Sequence, residues 1–235
     1  FMGWMLRKIT RIMKLVDRIV FLGDSDISRW PSSFYPSIQE ATGKDCDIRC
    51  VNIAKGGAVI SDMQHQLKTL RDDGGDEEDE ANTVFVACAG ENDISSVQPI
   101  DMIQKAFASF LEELFGSKRT HQQSKHLIFF GPKFEPWLTE DFASRKQYTK
   151  MSNALQRTIR KIQEPYKENI VYVDCLTMFC TAETKAVPGA VHGGRAVPDR
   201  SYFDSDELHL NNEGYKVWRV IVKEKIEGIL CGKDC

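Results

Sequence analysis

Five short apolar runs constrain this chain more than any other feature: residues 18–23, 47–53, 83–89, 126–131 and 169–174. They are rich in Val, Ile and Phe and continuous rather than alternating, as strands covered on both faces are. Between and after them, apolar residues recur at helical spacing over 59–71, 100–115, 148–162 and 212–230. Strand–helix alternation of this kind predicts an α/β fold, a five-stranded parallel sheet between two layers of helices. Ligands in such folds gather at the carboxyl ends of the strands, so functional residues are expected where each apolar run stops.

A length of 235 residues suits one well-cored domain rather than two, here residues 18–235. The net charge of −3 makes no electrostatic case for a nucleic-acid partner. No apolar run reaches bilayer-spanning length. Residues 1–17 form a separate basic amphipathic segment, with Met5, Ile9, Ile12, Met13 and Val16 at helical spacing among Arg7, Lys8, Arg11 and Lys14. It suits packing on the domain, a targeting peptide or a membrane surface, and membrane contact is expected only there. Charges interrupt it too often for a secretory signal.

Seven cysteines, with C-x3-C pairs at 46/50 and 231/235, lack zinc-site spacing and an accompanying histidine pair. Mostly free thiols, a reducing cytoplasmic or organellar compartment and no metal are expected, with a Cys231–Cys235 disulfide the exception to test. The acidic stretch 71–82 reads as a solvated connection without chemistry, and 181–205 as an irregular loop leading to the last motif.

The strand ends carry the chemistry. The first run ends in Gly23-Asp24-Ser25, the second in Gly56-Gly57, the third in Gly90-Glu91-Asn92-Asp93. After the fifth comes Asp206-Glu207-Leu208-His209. A serine hydroxyl is a weak nucleophile until a base takes its proton, and His209 suits that task. Asp206, three residues earlier, can hold the imidazole tautomer and stabilise the imidazolium. Attack on an ester carbonyl places charge on oxygen, which needs donors already aimed at it. The Ser25 amide, the Gly57 amide and the Asn92 side chain are the candidates.

These four blocks, in this order from about residue 18 to 230, resemble the SGNH or GDSL-type hydrolase family. The resemblance implies a flavodoxin-like three-layer sandwich and a catalytic triad of Ser25, Asp206 and His209. It also implies an oxyanion hole of Ser25, Gly57 and Asn92, and ester hydrolysis without metal or other cofactor. Two positions depart from the family pattern. Asp26 stands where an aliphatic residue is usual after the serine. It can cap the following turn, act on His209 or repel anionic substrates. Ala58 follows Gly57 where many relatives have aspartate.

Asp24 is expected to accept backbone N–H groups, and Asp93 to hold the turn that carries Asn92. The stretch 191–198, with its His-Gly-Gly, lacks the G-x-S-x-G elbow that would make it a lipase oxyanion loop. Trp30 and Trp137 follow the first and fourth strands and are expected to line the cleft, where aromatic planes suit sugar rings or acyl chains. The expectation is a serine esterase acting on short-chain acyl or acetyl esters, including acetylated sugars, through an acyl-enzyme. An acyltransferase on the same triad and a catalytically silent binding protein of the same fold are the alternatives.

Overall fold

The computed structural model describes residues 16–41, 48–72, 82–116, 125–162, 169–182 and 196–231. Nearly all of the basic N-terminal segment, most of the acidic stretch, residues 191–195 and Cys46 and Cys235 lie outside them, as does the side chain of Cys231. Strands β1 (Arg18–Gly23), β2 (Arg49–Asn52), β3 (Thr83–Cys88), β4 (His126–Phe130) and β5 (Ile170–Val173) form one sheet in the order β2-β1-β3-β4-β5. Every neighbouring pair in it is parallel.

Alternate side chains of the central strands feed two cores, as the two-residue pleat dictates. Ile19, Phe21, Val84, Val86, Ile128 and Phe130 enter one core, and Val20, Leu22, Phe85, Ala87, Leu127 and Phe129 the other. The first face is covered by helices α1 (Ser25–Ser28), α2 (Tyr35–Glu40) and α7 (Asn212–Cys231), whose Trp218 and Val222 are fully buried. Helices α3 (Asp62–Asp72), α5 (Ile100–Phe115) and α6 (Phe142–Lys161) cover the second face, and the short α4 (Glu91–Ser95) follows β3.

Three features differ from the sequence expectation. The edge strand β2 is only partly covered and Arg49 is exposed, and among the described residues no strand pairs beyond it. Helix α6 starts six residues before position 148, since Asp141 caps it by accepting the Ser144 N–H at 2.9 Å and the first turn needs no apolar stripe. Within the expected irregular loop, β6 (Cys180–Ala182) and β7 (Ala196–Pro198) pair antiparallel as a separate two-stranded sheet. Cys50, Cys88, Cys175 and Cys180 are free thiols. No helix among the described residues is long and apolar enough to cross a membrane.

Gly23 closes β1 in a conformation that only glycine holds without strain. Its φ is +124°, and a Cβ would stand 1.9 Å from the Cys88 carbonyl oxygen on the neighbouring strand. The Gln66 carboxamide clamps the same peptide from α3, accepting the Gly23 N–H at 2.7 Å and donating to its carbonyl at 2.8 Å. Gly23→Ala is therefore expected to cost about 3 kcal/mol or more of stability. Urea unfolding of both proteins measures it.

Candidate active site

β1 delivers the serine. Asp24 follows Gly23, donates its N–H to the Cys88 carbonyl at 3.0 Å and caps α1 by accepting the Asp26 N–H at 3.1 Å. Asp24, rather than Asp26, is thus the capping residue. Ser25 opens the helix, so its amide has no intrahelical acceptor. Asn52, at the end of β2, donates to the Ile27 carbonyl at 2.9 Å and ties the second strand end to the serine turn.

Gly57 and Asn92 lie on adjoining turns. Gly57 has φ +77°, and a Cβ there would meet nothing within 4 Å, so its backbone conformation and not crowding favours glycine. The Asn92 carboxamide donates to the Ala58 carbonyl at 3.0 Å, which anchors it to the Gly57 turn and leaves its second N–H for a ligand. Asp93 accepts the Ile60 N–H at 3.0 Å and fastens the same two turns together. Burial, partly opposed by that N–H, pushes its carboxyl up to about 6.

The last motif folds into a compact loop between Phe203 and Leu210, which bridge antiparallel. Asp206 Oδ1 accepts the backbone N–H groups of Leu208 and His209, each at 3.0 Å, and Oδ2 lies 2.7 Å from His209 Nδ1. One carboxylate thus fixes both the loop and the ring. Burial pushes the Asp206 carboxyl up, but the His209 amide, its ring and the Leu208 amide outweigh this and hold it well below the usual carboxylate range. Arg29 also approaches Oδ2, at 3.6 Å. Asn211 anchors the loop to α7: it donates to the Ser201 and Phe203 carbonyls and accepts the Glu213 and Gly214 N–H groups.

Ser25, Asn92 and His209 line one pocket of about 60 Å³ with Asp24, Asp26, Glu91, Glu135 and Tyr148. The structure therefore brings together three of the five expected catalytic and oxyanion residues directly, with Asp206 behind His209 and Gly57 on the turn beside Asn92. Among the described residues no hydrogen bond joins Ser25 Oγ to His209. Such bonds often tighten only with substrate. Trp30 corrects the expectation: it is 4% exposed and packs on Phe21, Tyr215 and Trp218 in the core. Its apolar neighbours on α7 claim it. Trp137 is not part of the pocket lining either; it is exposed beside it and donates to Glu135 Oε2 at 2.5 Å.

A lysine not expected from the sequence lies behind three of the pocket's carboxylates. Lys133, at the end of β4, is buried among Asp26, Glu91 and Glu135, and its ammonium contacts all three. Burial, then the neighbouring carboxylates, push Asp24 and Glu91 well above the usual range, with Lys133 opposing. The donor atoms of Asp24, Asp26 and Cys88 lie within 4.8 Å of one another, close enough for a metal ion. Lys133 Nζ, 2.5 Å from Asp26 Oδ2, already supplies a cation there. A larger cavity, about 630 Å³, lies between α5 and α6 and is lined by none of these residues.

The chain matches the family described as GDSL-like Lipase/Acylhydrolase over residues 19–219. Its fold is similar to that of a lipase/acylhydrolase from Enterococcus faecalis, with TM-score 0.60 and 15% identity over 91% of this chain and 96% of that one. It is similar also to a carbohydrate esterase family 3 protein from Talaromyces cellulolyticus, with TM-score 0.62 and 12% identity over 93% and 99%. The esterase EstA from Pseudoalteromonas sp. gives TM-score 0.57 and 14% identity over 91% and 98%. None of the curated proteins compared with the chain matches it significantly in sequence.

Two outcomes follow from this geometry. Asn92→Ala is expected to lower kcat roughly 10²–10³-fold with a smaller change in KM, because the donor acts on charge that develops in the transition state. Steady-state kinetics on an ester substrate measures the split. Asp206 keeps its charge and holds the ring through Nδ1. Asp206→Asn removes that charge and loosens the ring, so kcat/KM is expected to fall roughly 10²-fold or more, which the same kinetics measures.

Proposed function

The chain belongs to the GDSL-like lipase/acylhydrolase family, and from that premise we propose that it is a serine esterase that cleaves short acyl or acetyl esters through an acyl-enzyme. The observation that carries the reading is the His209 Nδ1–Asp206 Oδ2 pair at 2.7 Å, with His209 lining the same pocket as Ser25. In this reaction His209 Nε2 takes the Ser25 proton while Oγ bonds to the ester carbonyl carbon. The carbonyl oxygen becomes an oxyanion that meets the Ser25 and Gly57 amides and the Asn92 carboxamide. The C–O bond to the leaving alcohol then breaks, and the alcohol takes the proton from His209. Water, deprotonated by the same imidazole, repeats the sequence on the acyl-enzyme and releases the acid and Ser25. Side chains and backbone amides of this chain meet every proton transfer and charge in this scheme, which supports a metal-independent mechanism.

Pocket size and lining support the acyl preference. About 60 Å³ holds roughly two waters' share of liquid volume, and its walls are carboxyls, hydroxyls, the Asn92 carboxamide, the His209 ring and one leucine, Leu208. A long alkyl chain would find little apolar surface there, whereas an acetyl group would fit. One fold neighbour is described as a carbohydrate esterase, which supports a sugar as the leaving alcohol. Acetylated sugars are therefore the proposed natural class, with the sugar as leaving alcohol.

A series of p-nitrophenyl esters and acetylated sugars tests the reading. kcat/KM should be highest for acetyl and fall roughly tenfold or more toward octanoyl, as burial of added methylenes goes unrewarded. Ser25→Ala should lose roughly 10⁴-fold or more while unfolding like the wild type. Wild-type turnover in the alanine variant would remove Ser25 from the mechanism. A preference for octanoyl would remove the acetyl assignment.

A further inference from the structure

Lys133 is the buried charge that the esterase mechanism leaves unused. Its side chain is 1% exposed. An ammonium has three hydrogens, and three carboxylates receive them: Asp26 Oδ2 at 2.5 Å, Glu91 Oε2 at 3.0 Å and Glu135 Oε1 at 3.1 Å. The Lys133 backbone N–H donates to the other Glu91 oxygen at 2.9 Å. Asp26 directly follows the nucleophile Ser25, and Glu91 directly precedes the oxyanion donor Asn92. One cation therefore joins the β1–α1 turn to the β3–α4 turn.

The anchors are themselves held from behind. The Tyr148 hydroxyl at 3.2 Å and the Trp137 N–H at 2.5 Å occupy Glu135 Oε2, and the Tyr215 hydroxyl donates to the Asp26 carbonyl at 2.7 Å. Asp26 Oδ1 is buried without a partner, so the ammonium is the one side-chain donor on that carboxylate among the described residues.

We propose that Lys133 is a positioning residue of the esterase reaction: by gripping Asp26 and Glu91 together, its ammonium sets the distance between the Ser25 hydroxyl and the Asn92 donor. The inference rests on the esterase reading above. A buried ion cluster is a poor route to stability, since desolvation cancels much of its Coulomb gain. The placement of this one, with both arms ending beside reacting groups, gives it a geometric task. Misplacing a catalytic group by about 1 Å can cost 10²-fold in rate. Burial opposes the charge on Lys133, but the three carboxylates outweigh it and hold the ammonium well above its ordinary range. The grip thus persists at every pH where an imidazole acts as base.

The test compares wild type with Lys133→Met, which keeps the chain length and removes the charge. A fluorophosphonate probe reports the labelling rate of Ser25 and counts active sites; p-nitrophenyl acetate then gives kcat per labelled site and KM. Labelling rate and kcat per site should both fall about 10–100-fold, with KM within about threefold of wild type. Equal rates per site, even with a lower melting temperature, would overturn the proposal and leave Lys133 a structural residue. Should Lys133→Met fail to fold, Glu91→Gln keeps the lysine and the size. Its amide nitrogen cannot accept, so one of the two Lys133 bonds to Glu91 is lost. About a fivefold or greater drop in kcat supports the proposal, and an unchanged kcat overturns it. A wild-type protein that is not labelled at all would sink the esterase reading, and this proposal with it.

Discussion

A parallel sheet whose first strand lies between the second and third must send its connections in opposite directions, and everything at the site depends on that divergence. After β1 the chain leaves toward β2 on one side, and after β3 it leaves toward β4 on the other. A gap opens between the two exits at the carboxyl edge, as the switch-point rule requires. Ser25 stands at one lip and Asn92 at the other, with the Gly57 turn fastened to the Asn92 side. The motif carrying His209 comes from far along the chain, just before α7. It reaches the same gap because α7 packs Trp218 and Val222 onto the β1 and β4 face.

Electrostatics at the gap are set by burial. Asp24, Asp26, Glu91 and Glu135 are each less than a tenth exposed, around one ammonium. That many carboxylates cannot all ionise in a poorly solvated volume, and Asp24 and Glu91 are the ones held toward their neutral forms. Asp206 is the opposite case: partly open to water and supplied with two amides and a ring nitrogen, it keeps its charge. The arrangement places a reliable anion behind the imidazole and largely compensated ones beneath the serine. Tyr148 and Tyr215, whose hydroxyls donate into this network, are pushed up by burial and stay protonated donors.

The longer helices were legible because their burial leaves a period in the sequence, and the strands because burial on both faces leaves an unbroken apolar run. Ile19 and Phe21 face one way and Val20 and Leu22 the other, and all four are apolar. Ser25, Asn92, Asp206 and His209 stand out in the sequence for a different reason: each sits in a short block at a strand end or just before a helix, and the structure brings Ser25, Asn92 and His209 to one pocket. What stayed hidden depends on contacts without local signature. Lys133 and Asp26 are 107 residues apart, and nothing in the stretch around Lys133 says that three acids await its ammonium. Trp30 looks like a cleft aromatic beside the serine until α7 brings Tyr215 and Trp218 against it. The start of α6 was missed because its first turns are held by the Asp141 cap instead of an apolar stripe.

The central claim is that Ser25 carries the acyl group between the two halves of the reaction. Rapid mixing with p-nitrophenyl acetate, quenching in acid and mass spectrometry of the proteolytic peptides looks for that group directly. The account predicts an acetyl adduct on the peptide that contains Ser25, present at early times and gone once substrate is exhausted. An adduct confined to another residue, such as a free cysteine, or turnover with no adduct on Ser25 in a variant slowed at deacylation, would contradict it.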